Sequence, residues 1–256
     1  MEPVFDLAQV QGWAREAGEI ALGYWQNVSA TLKADRTLVT RADREVEELL
    51  AARIRSAFPD HALIAEEGAR ASGVEYLWAV DPIDGTRAFV QGLPGWGIAI
   101  GLLHRGQPRW GVFYMPALGD WTYTVGSEGA EWNGRDLQGR LRAELDEQSF
   151  VAVSSSTHYR YEFDFPWTRA LGSVEANIAY TARGSALGAF IRKAAIWDLA
   201  AGAAVLLRLG AELRYLSGAP VRWEELLNGR YTTEPILAAH PALVDRLRGM
   251  IRARPR

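Results

Sequence analysis

Six consecutive residues, Asp81-Pro82-Ile83-Asp84-Gly85-Thr86, place two carboxylates three positions apart on a segment with little backbone freedom. Pro82 fixes its own φ and Gly85 can adopt a conformation that other residues avoid, so the two aspartates converge on a tight turn. A second acidic pair, Glu66-Glu67, follows the apolar run Ala62 to Ala65, and Asp198 follows Trp197 where an apolar stretch begins. Carboxylates gathered in one cleft repel and raise one another's pKa unless cations neutralise them. The chain has no cysteine, and its four histidines (His61, His104, His158, His240) are scattered without i, i+4 pairing, so a metal here must be held by oxygen. Mg²⁺ answers that description, since it takes one or two carboxylates per ion together with waters and phosphate oxygens. Each acidic feature taken singly has an ordinary reading: Asp-Gly as a turn, Glu-Glu as a solvated surface, Asp at a helix start as a cap.

The elements that must position these groups follow from periodicity. Asp6 with Gln9 resembles a capping box, and Leu7, Val10, Ala14, Ala17 and Ala21 then recur at helical spacing, which predicts a helix over Asp6 to Trp25. Val46, Leu49, Leu50, Ile54 and Ala57 share one face of a second helix, Arg41 to Phe58, stopped by Pro59-Asp60. Short aromatic-rich runs then predict strands at Ala62 to Ala65, Tyr76 to Val80, Trp96 to Leu103, Trp110 to Tyr114 and Trp121 to Val125, in a largely antiparallel sheet. From Phe150 the pattern alternates. Strands are expected at Phe150 to Val153, Ala186 to Ile191, Glu212 to Leu216 and Ile236 to Ala239, with helices from Ser173, Trp197 and Pro241 between them. The fold class is therefore α/β, in one domain over 1–256 with an N-terminal lobe (about 1–149) carrying the acidic turn and a C-terminal α/β lobe (about 150–256).

Composition excludes several functions. With 48% hydrophobic and 23% charged residues the chain is globular, and a net charge of −3 lacks the positive field of a nucleic-acid binder. The C-terminal arginines Arg246, Arg248, Arg252, Arg254 and Arg256 form the basic cluster of the chain and read as a solvated helix end with a frayed tail. No apolar stretch approaches the roughly 18 residues of a membrane span. The start, Met-Glu-Pro-Val-Phe-Asp, lacks the basic and apolar segments of a secretory signal, so a cytoplasmic protein is expected. Ser154, Ser155 and Ser156 with His158 could suggest a serine hydrolase, but no G-x-S-x-G elbow accompanies them, and no P-loop is present.

The set Leu38-Val39-Thr40-Arg41-Ala42-Asp43, Ile64-Ala65-Glu66-Glu67, Asp81 to Thr86 with Phe89, Gly172-Ser173 and Trp197-Asp198-Leu199-Ala200-Ala201-Gly202 resembles the inositol monophosphatase family of Mg²⁺-dependent, lithium-sensitive phosphatases. The resemblance implies a five-layered αβαβα sandwich, a homodimer, and hydrolysis of a small phosphate ester by attack of an activated water, with inositol monophosphate as the expected substrate. It also implies two or three Mg²⁺ ions. Glu66, Asp81 and the carbonyl of Ile83 would hold one, and Asp81, Asp84 and Asp198 a second. Thr86, hydrogen-bonded to Asp43, would position and deprotonate the water, while Gly85, Thr86, Gly172 and Ser173 would cradle phosphate.

Two departures bear on the substrate. Thr37 stands where many members have Asp, though Lys33-Ala34-Asp35 is similar to branches acting on nucleotide bisphosphates and histidinol phosphate. An ungapped reading puts Ile191, followed by Arg192 and Lys193, where inositol-selective members place a hydroxyl-binding glutamate. Arg192 or Lys193 would favour a second anionic group, so fructose 1,6-bisphosphatase, 3′-nucleotide-bisphosphate phosphatase and histidinol phosphatase are the alternatives within the family. Glu175 and Asn177 offer either hydroxyl contacts or an ordinary helix surface. A binding protein associated with the transcription machinery is the alternative from another class.

Overall fold

The computed structural model describes residues 5–27, 29–32, 38–68, 75–165 and 167–255; Lys33-Ala34-Asp35, Thr37 and Arg256 lie outside them. Helix α1 (Leu7–Tyr24) starts at Asp6, whose carboxylate accepts from the Gln9 amide at 3.1 Å. Strands β1 (Ala30–Leu32) and β2 (Leu38–Thr40) pair antiparallel and lead into α2 (Arg41–Ala57). The buried stripe of α2 is Ala42, Asp43, Val46, Leu50, Ala51 and Ile54, so a carboxylate belongs to the face expected to be apolar, and Ala57 is exposed. Asp43 is held there by a capping box with Thr40, a device worth about 1 kcal/mol to a helix start.

The strands β3 (Ala62–Ala65), β4 (Tyr76–Asp84), β5 (Gly97–His104), β6 (Gln107–Met115), β7 (Asp120–Val125), β8 (Gly129–Trp132) and β9 (Arg135–Asp136) form one sheet in sequence order. Within this sheet only β3 and β4 run parallel, which brings their C-terminal ends, with Glu66 after β3 and Asp81 and Asp84 at the end of β4, to the same end of the sheet. Strand β4 extends four residues past its expected end at Val80, and its register against β5 breaks between Asp81 and Asp84. Helix α3 (Thr86–Val90) begins directly after this irregularity.

A second sheet contains β10 (Val151–Val153), β12 (Thr168–Arg169), β13 (Gly188–Ile191), β14 (Glu212–Tyr215) and β15 (Ile236–Ala239), in the order β12-β10-β13-β15-β14. Strand β11 (Tyr161–Phe163) pairs with β16 (Ile251–Ala253). Of the C-terminal arginines, Arg252 therefore lies within β16 and not in a frayed tail, and Arg254 approaches Glu162 at 3.6 Å.

Helices α1 and α2 cover one face of the large sheet, α4 (Val174–Ala182) and α5 (Ala200–Arg208) fill the space between the two sheets, and α6 (Pro241–Gly249) covers the outer face of the second sheet. This is the five-layered αβαβα sandwich. Helix α5 seats closely on β5 and β6 because Gly101 and Gly111 carry no side chain: a Cβ on Gly101 would lie 2.5 Å from the Ala200 Cβ, and one on Gly111 would lie 2.2 Å from the Ala201 carbonyl oxygen. That seat fixes Asp198, two residues before α5. At the other end of α4, the guanidinium of Arg183 is paired with Asp120, bonded to Thr122 and stacked over Trp132. A 3%-exposed cation with such partners pins the helix against β7.

An aromatic column stands at the opposite end of β3 and β4. Phe58, His61, Tyr76 and His104 stack in sequence at centroid spacings of 4.9, 4.8 and 4.7 Å, and the Trp78 indole donates to His61 Nδ1 at 3.0 Å. Burial lowers the His61 pKa, opposed by the charge of Asp60. Protonation at Nδ1 also removes the acceptor that Trp78 uses. The unfolded chain then binds more protons between the folded-state value and the ordinary imidazole value, so this contribution is complete above about pH 6.5 and is lost as pH falls below it. In His61→Asn, which keeps an acceptor but does not titrate, the drop in Tm between about pH 7.5 and about pH 5.5 should be smaller than in wild type. Identical drops by calorimetry would assign the acid sensitivity to other groups.

Candidate metal centre

Asp81 and Asp84 lie at the irregular end of β4, Glu66 immediately follows β3, and Asp198 precedes α5. One carboxylate oxygen from each of Asp81, Asp84 and Asp198 lies within 4.8 Å of the others. Glu66 lines the same cavity outside this close triad, yet its charge is the strongest source of repulsion on Asp81. Its neighbour Glu67 lines a separate depression beside α2, its amide donating to Glu47 at 2.7 Å, and its charge acts on Asp43.

The triad is buried and electrostatically unbalanced. Burial, then the charges of Glu66, Asp84, Asp198 and Asp43, pushes the Asp81 carboxyl well above its ordinary range. Asp84 is pushed up to about 7, by burial first and by Asp198 second, although it accepts hydrogen bonds from the amides of Val174 and Glu175 at 3.3 and 2.6 Å. Asp81 Oδ1 accepts from the Ile83 amide at 3.0 Å, and Asp198 Oδ2 accepts from the Ala195 amide at 2.6 Å. Oriented carboxylates that resist ionisation alone are the donor set a hard divalent cation stabilises, and the residues present fit Mg²⁺.

Gly85 explains how the turn is made. It sits at φ 88°, in the left-handed region, and a Cβ there would lie 2.7 Å from the Ser173 Cβ. The Gly172-Ser173 segment thus comes directly against the acidic turn. Ser173 caps α4 through the Ala176 amide at 3.1 Å, and the next free donors of that helix go to Asp84. The α4 start therefore holds a carboxylate of the site, a role the expected phosphate cradle at Gly172 and Ser173 did not include. Gly85, Thr86, Gly172 and Ser173 all line the cavity.

Thr86 Oγ1 lies 3.2 Å from Asp43 Oδ1 and 3.1 Å from the Ile83 carbonyl oxygen. Asp43 is fully buried and turned by Thr40, whose amide and hydroxyl both donate to Oδ2, at 2.7 and 2.6 Å. Burial raises the Asp43 pKa against these hydrogen bonds. The expected Asp43–Thr86 pair is present and joins α2 to the acidic turn.

The cavity encloses about 470 Å³ and is lined also by Ser154, Ser155, Arg192, Lys193 and Tyr231. Ile191 is not on this wall; it is fully buried in the core between the sheets, because alternation along β13 turns it inward. Arg192 reaches the cavity with its Nε buried and unpartnered, and Lys193 Nζ sits 4.0 Å over the Tyr231 ring. Glu175 and Asn177 are not surface residues. Asn177 is 2% exposed and lines the cavity with Oδ1 unpartnered, while Glu175 is 0% exposed behind Asp84 and accepts from the Gly202 amide at 3.1 Å. Of the two expectations for this pair, the helix surface does not hold, since α4 lies between two sheets and is covered on nearly every side.

Known proteins share this architecture. A fructose-1,6-bisphosphatase/inositol-1-monophosphatase of Thermotoga maritima is 32% identical over 211 residues, spanning 80% of this chain and 82% of the relative. The Nus factor SuhB of Pasteurella multocida is 29% identical over 268 residues, spanning 96% and 95%. The solved structure of a Thermotoga maritima IMPase superposes with a TM-score of 0.82 at 27% identity, covering 95% of both chains. The model of the inositol monophosphatase family matches residues 3–249, and the chain belongs to this family of phosphatases.

Proposed function

We propose that this chain is a Mg²⁺-dependent phosphomonoesterase for small phosphorylated metabolites, taking inositol monophosphate and, through Arg192, esters that carry a second anionic group. The observation that supports it most is the convergence of Asp81, Asp84 and Asp198 in a cavity that Arg192 and Lys193 also line. Glu66, Asp81 and the Ile83 carbonyl would hold one ion, and Asp81, Asp84 and Asp198 another. Bound Mg²⁺ supplies charge neutralisation for the phosphate and leaving oxygens and lowers the pKa of water.

The protein groups do the rest. Asp43 accepts a hydrogen bond from the Thr86 hydroxyl and so turns a lone pair of Oγ1 toward the cavity, where it orients a water for in-line attack and takes its proton as the hydroxyl proton passes to Asp43 Oδ1. The unpartnered Asn177 Oδ1 accepts from a substrate hydroxyl, and Arg192 takes an anionic group remote from the scissile bond.

The test is phosphate release from inositol 1-phosphate and fructose 1,6-bisphosphate with Mg²⁺, with EDTA, and in Arg192→Ala. EDTA should abolish turnover and excess Mg²⁺ restore it. Arg192→Ala should lose about 10-fold in kcat/KM on the bisphosphate and little on the monophosphate. Full turnover in EDTA would overturn the metal reading; equal losses on both substrates would remove Arg192 from anion binding.

A further inference from the structure

Glu175 is a fully buried acid that the proposed chemistry does not use, and its Oε2 has no hydrogen-bond partner. Leaving a buried polar atom unpaired costs the fold free energy, so its presence calls for a reason. Its remaining bonds run in two directions. The backbone N–H donates to Asp84 Oδ2 at 2.6 Å, beside that of Val174, which donates to Oδ1 at 3.3 Å. The side chain crosses to the next helix: Oε1 accepts from the Gly202 amide at 3.1 Å, and the Ala201 amide acts on the same carboxyl. These are the third and second residues of α5, whose own cap position, Leu199, makes no side-chain hydrogen bond. A helix start ordinarily satisfies such amides with a Ser, Thr, Asp or Asn at the cap; here a glutamate from another helix does so. Gly202 makes the room, since a Cβ there would lie 2.3 Å from Glu175 Oε2.

The two ends of this link are two arms of the carboxylate triad. Asp84 ends β4, and Asp198 stands two residues before α5, holding the Ala195 amide at 2.6 Å. Gly101 and Gly111 set how closely α5 approaches the large sheet, whereas Glu175 ties the first turn of α5 to the residue that bonds Asp84. We propose that Glu175 is a positioning residue of the metal centre, a brace from α4 to α5 that sets the spacing of Asp84 from Asp198 for the cation they share. This rests on the metal reading above for the cation, while the brace itself is a property of the protein alone.

Glu175→Met keeps the length of the side chain and removes the acceptor, whereas Glu175→Gln keeps the acceptor. In calorimetric titration of Mg²⁺ into the protein without substrate, Glu175→Met should bind about 10-fold more weakly than wild type, and Glu175→Gln should recover to within about 3-fold. In EDTA, amide exchange followed by NMR should be about 10-fold faster in Glu175→Met both at Gly202 and at Ala195, the amide that Asp198 holds. A side chain that only capped α5 would protect Gly202 and leave Ala195 as it is. Unchanged exchange at Ala195, or equal weakening of Mg²⁺ binding in the Met and Gln variants, therefore overturns the brace. Should Glu175→Met fail to fold, Gly202→Ala replaces it: the added Cβ displaces the carboxyl from the α5 amides without removing it, and the same weakening of Mg²⁺ binding is expected, with wild-type affinity overturning the proposal. If wild type binds no Mg²⁺, the metal reading fails instead, and exchange at Ala195 in EDTA decides the brace by itself.

Discussion

In Asp81→Asn, Mg²⁺-supported phosphate release should fall by about 10³-fold or more, while the metal-free protein melts at a higher temperature than wild type. Asp81 is the carboxylate most crowded by others, with Glu66, Asp84, Asp198 and Asp43 all raising its pKa, and it is 2% exposed. The substitution is nearly isosteric, and the amide oxygen of Asn keeps the acceptor that the Ile83 amide uses. What it removes is one negative charge. With the ion bound, that charge is a ligand shared between two proposed positions, so its loss weakens both. Without the ion, the same charge is a buried liability, because protonating or ionising it inside the acidic cluster costs free energy that the unfolded chain does not incur. Phosphate release across a Mg²⁺ titration, and Tm in EDTA, check the two halves separately. Retained turnover would remove Asp81 from the centre, and a lower Tm in EDTA would mean that Asp81 supports the fold rather than the site.

The opposite signs of these effects explain which parts of the site were legible in the sequence. Acids that a fold would otherwise avoid stand out where strands end, so Glu66, Asp81, Asp84 and Asp198 could be read from apolar runs that stop at carboxylates. The parallel pairing of β3 with β4 and the glycine seat of α5 then bring them together. The seat depends on Gly101 and Gly111, which in the sequence look like ordinary strand glycines. Positions fixed by tertiary packing were not legible. Period-two alternation in β13 shows that Ile191 and Arg192 face opposite ways but not which one faces the cavity. The polar Glu175 and Asn177 fitted a helix surface as well as hydroxyl contacts, and tertiary packing decides between them: both are buried, Glu175 beside Asp84 and Asn177 at the cavity. The pairing of β11 with β16 joins residues about ninety positions apart, and no local pattern signals it.

Thr86→Val should lower kcat by about 10²-fold while leaving the Mg²⁺ concentration for half-maximal activity and the KM within about two-fold of wild type. Valine keeps the β-branch and volume at the first residue of α3, so the helix start and the turn at Gly85 are preserved. The hydroxyl is lost, and with it the atom placed 3.2 Å from Asp43 Oδ1. Asp43 acts only through that hydroxyl in the proposed mechanism, since its other oxygen is occupied by Thr40. The double variant Asp43→Asn/Thr86→Val should therefore lose no more than the worse single variant, a non-additivity expected of groups that work as one unit. Additive losses would separate the two residues into independent roles. An unchanged kcat with a raised Mg²⁺ requirement would move Thr86 from the water to the metal, where its contact with the Ile83 carbonyl at 3.1 Å would become the one that matters.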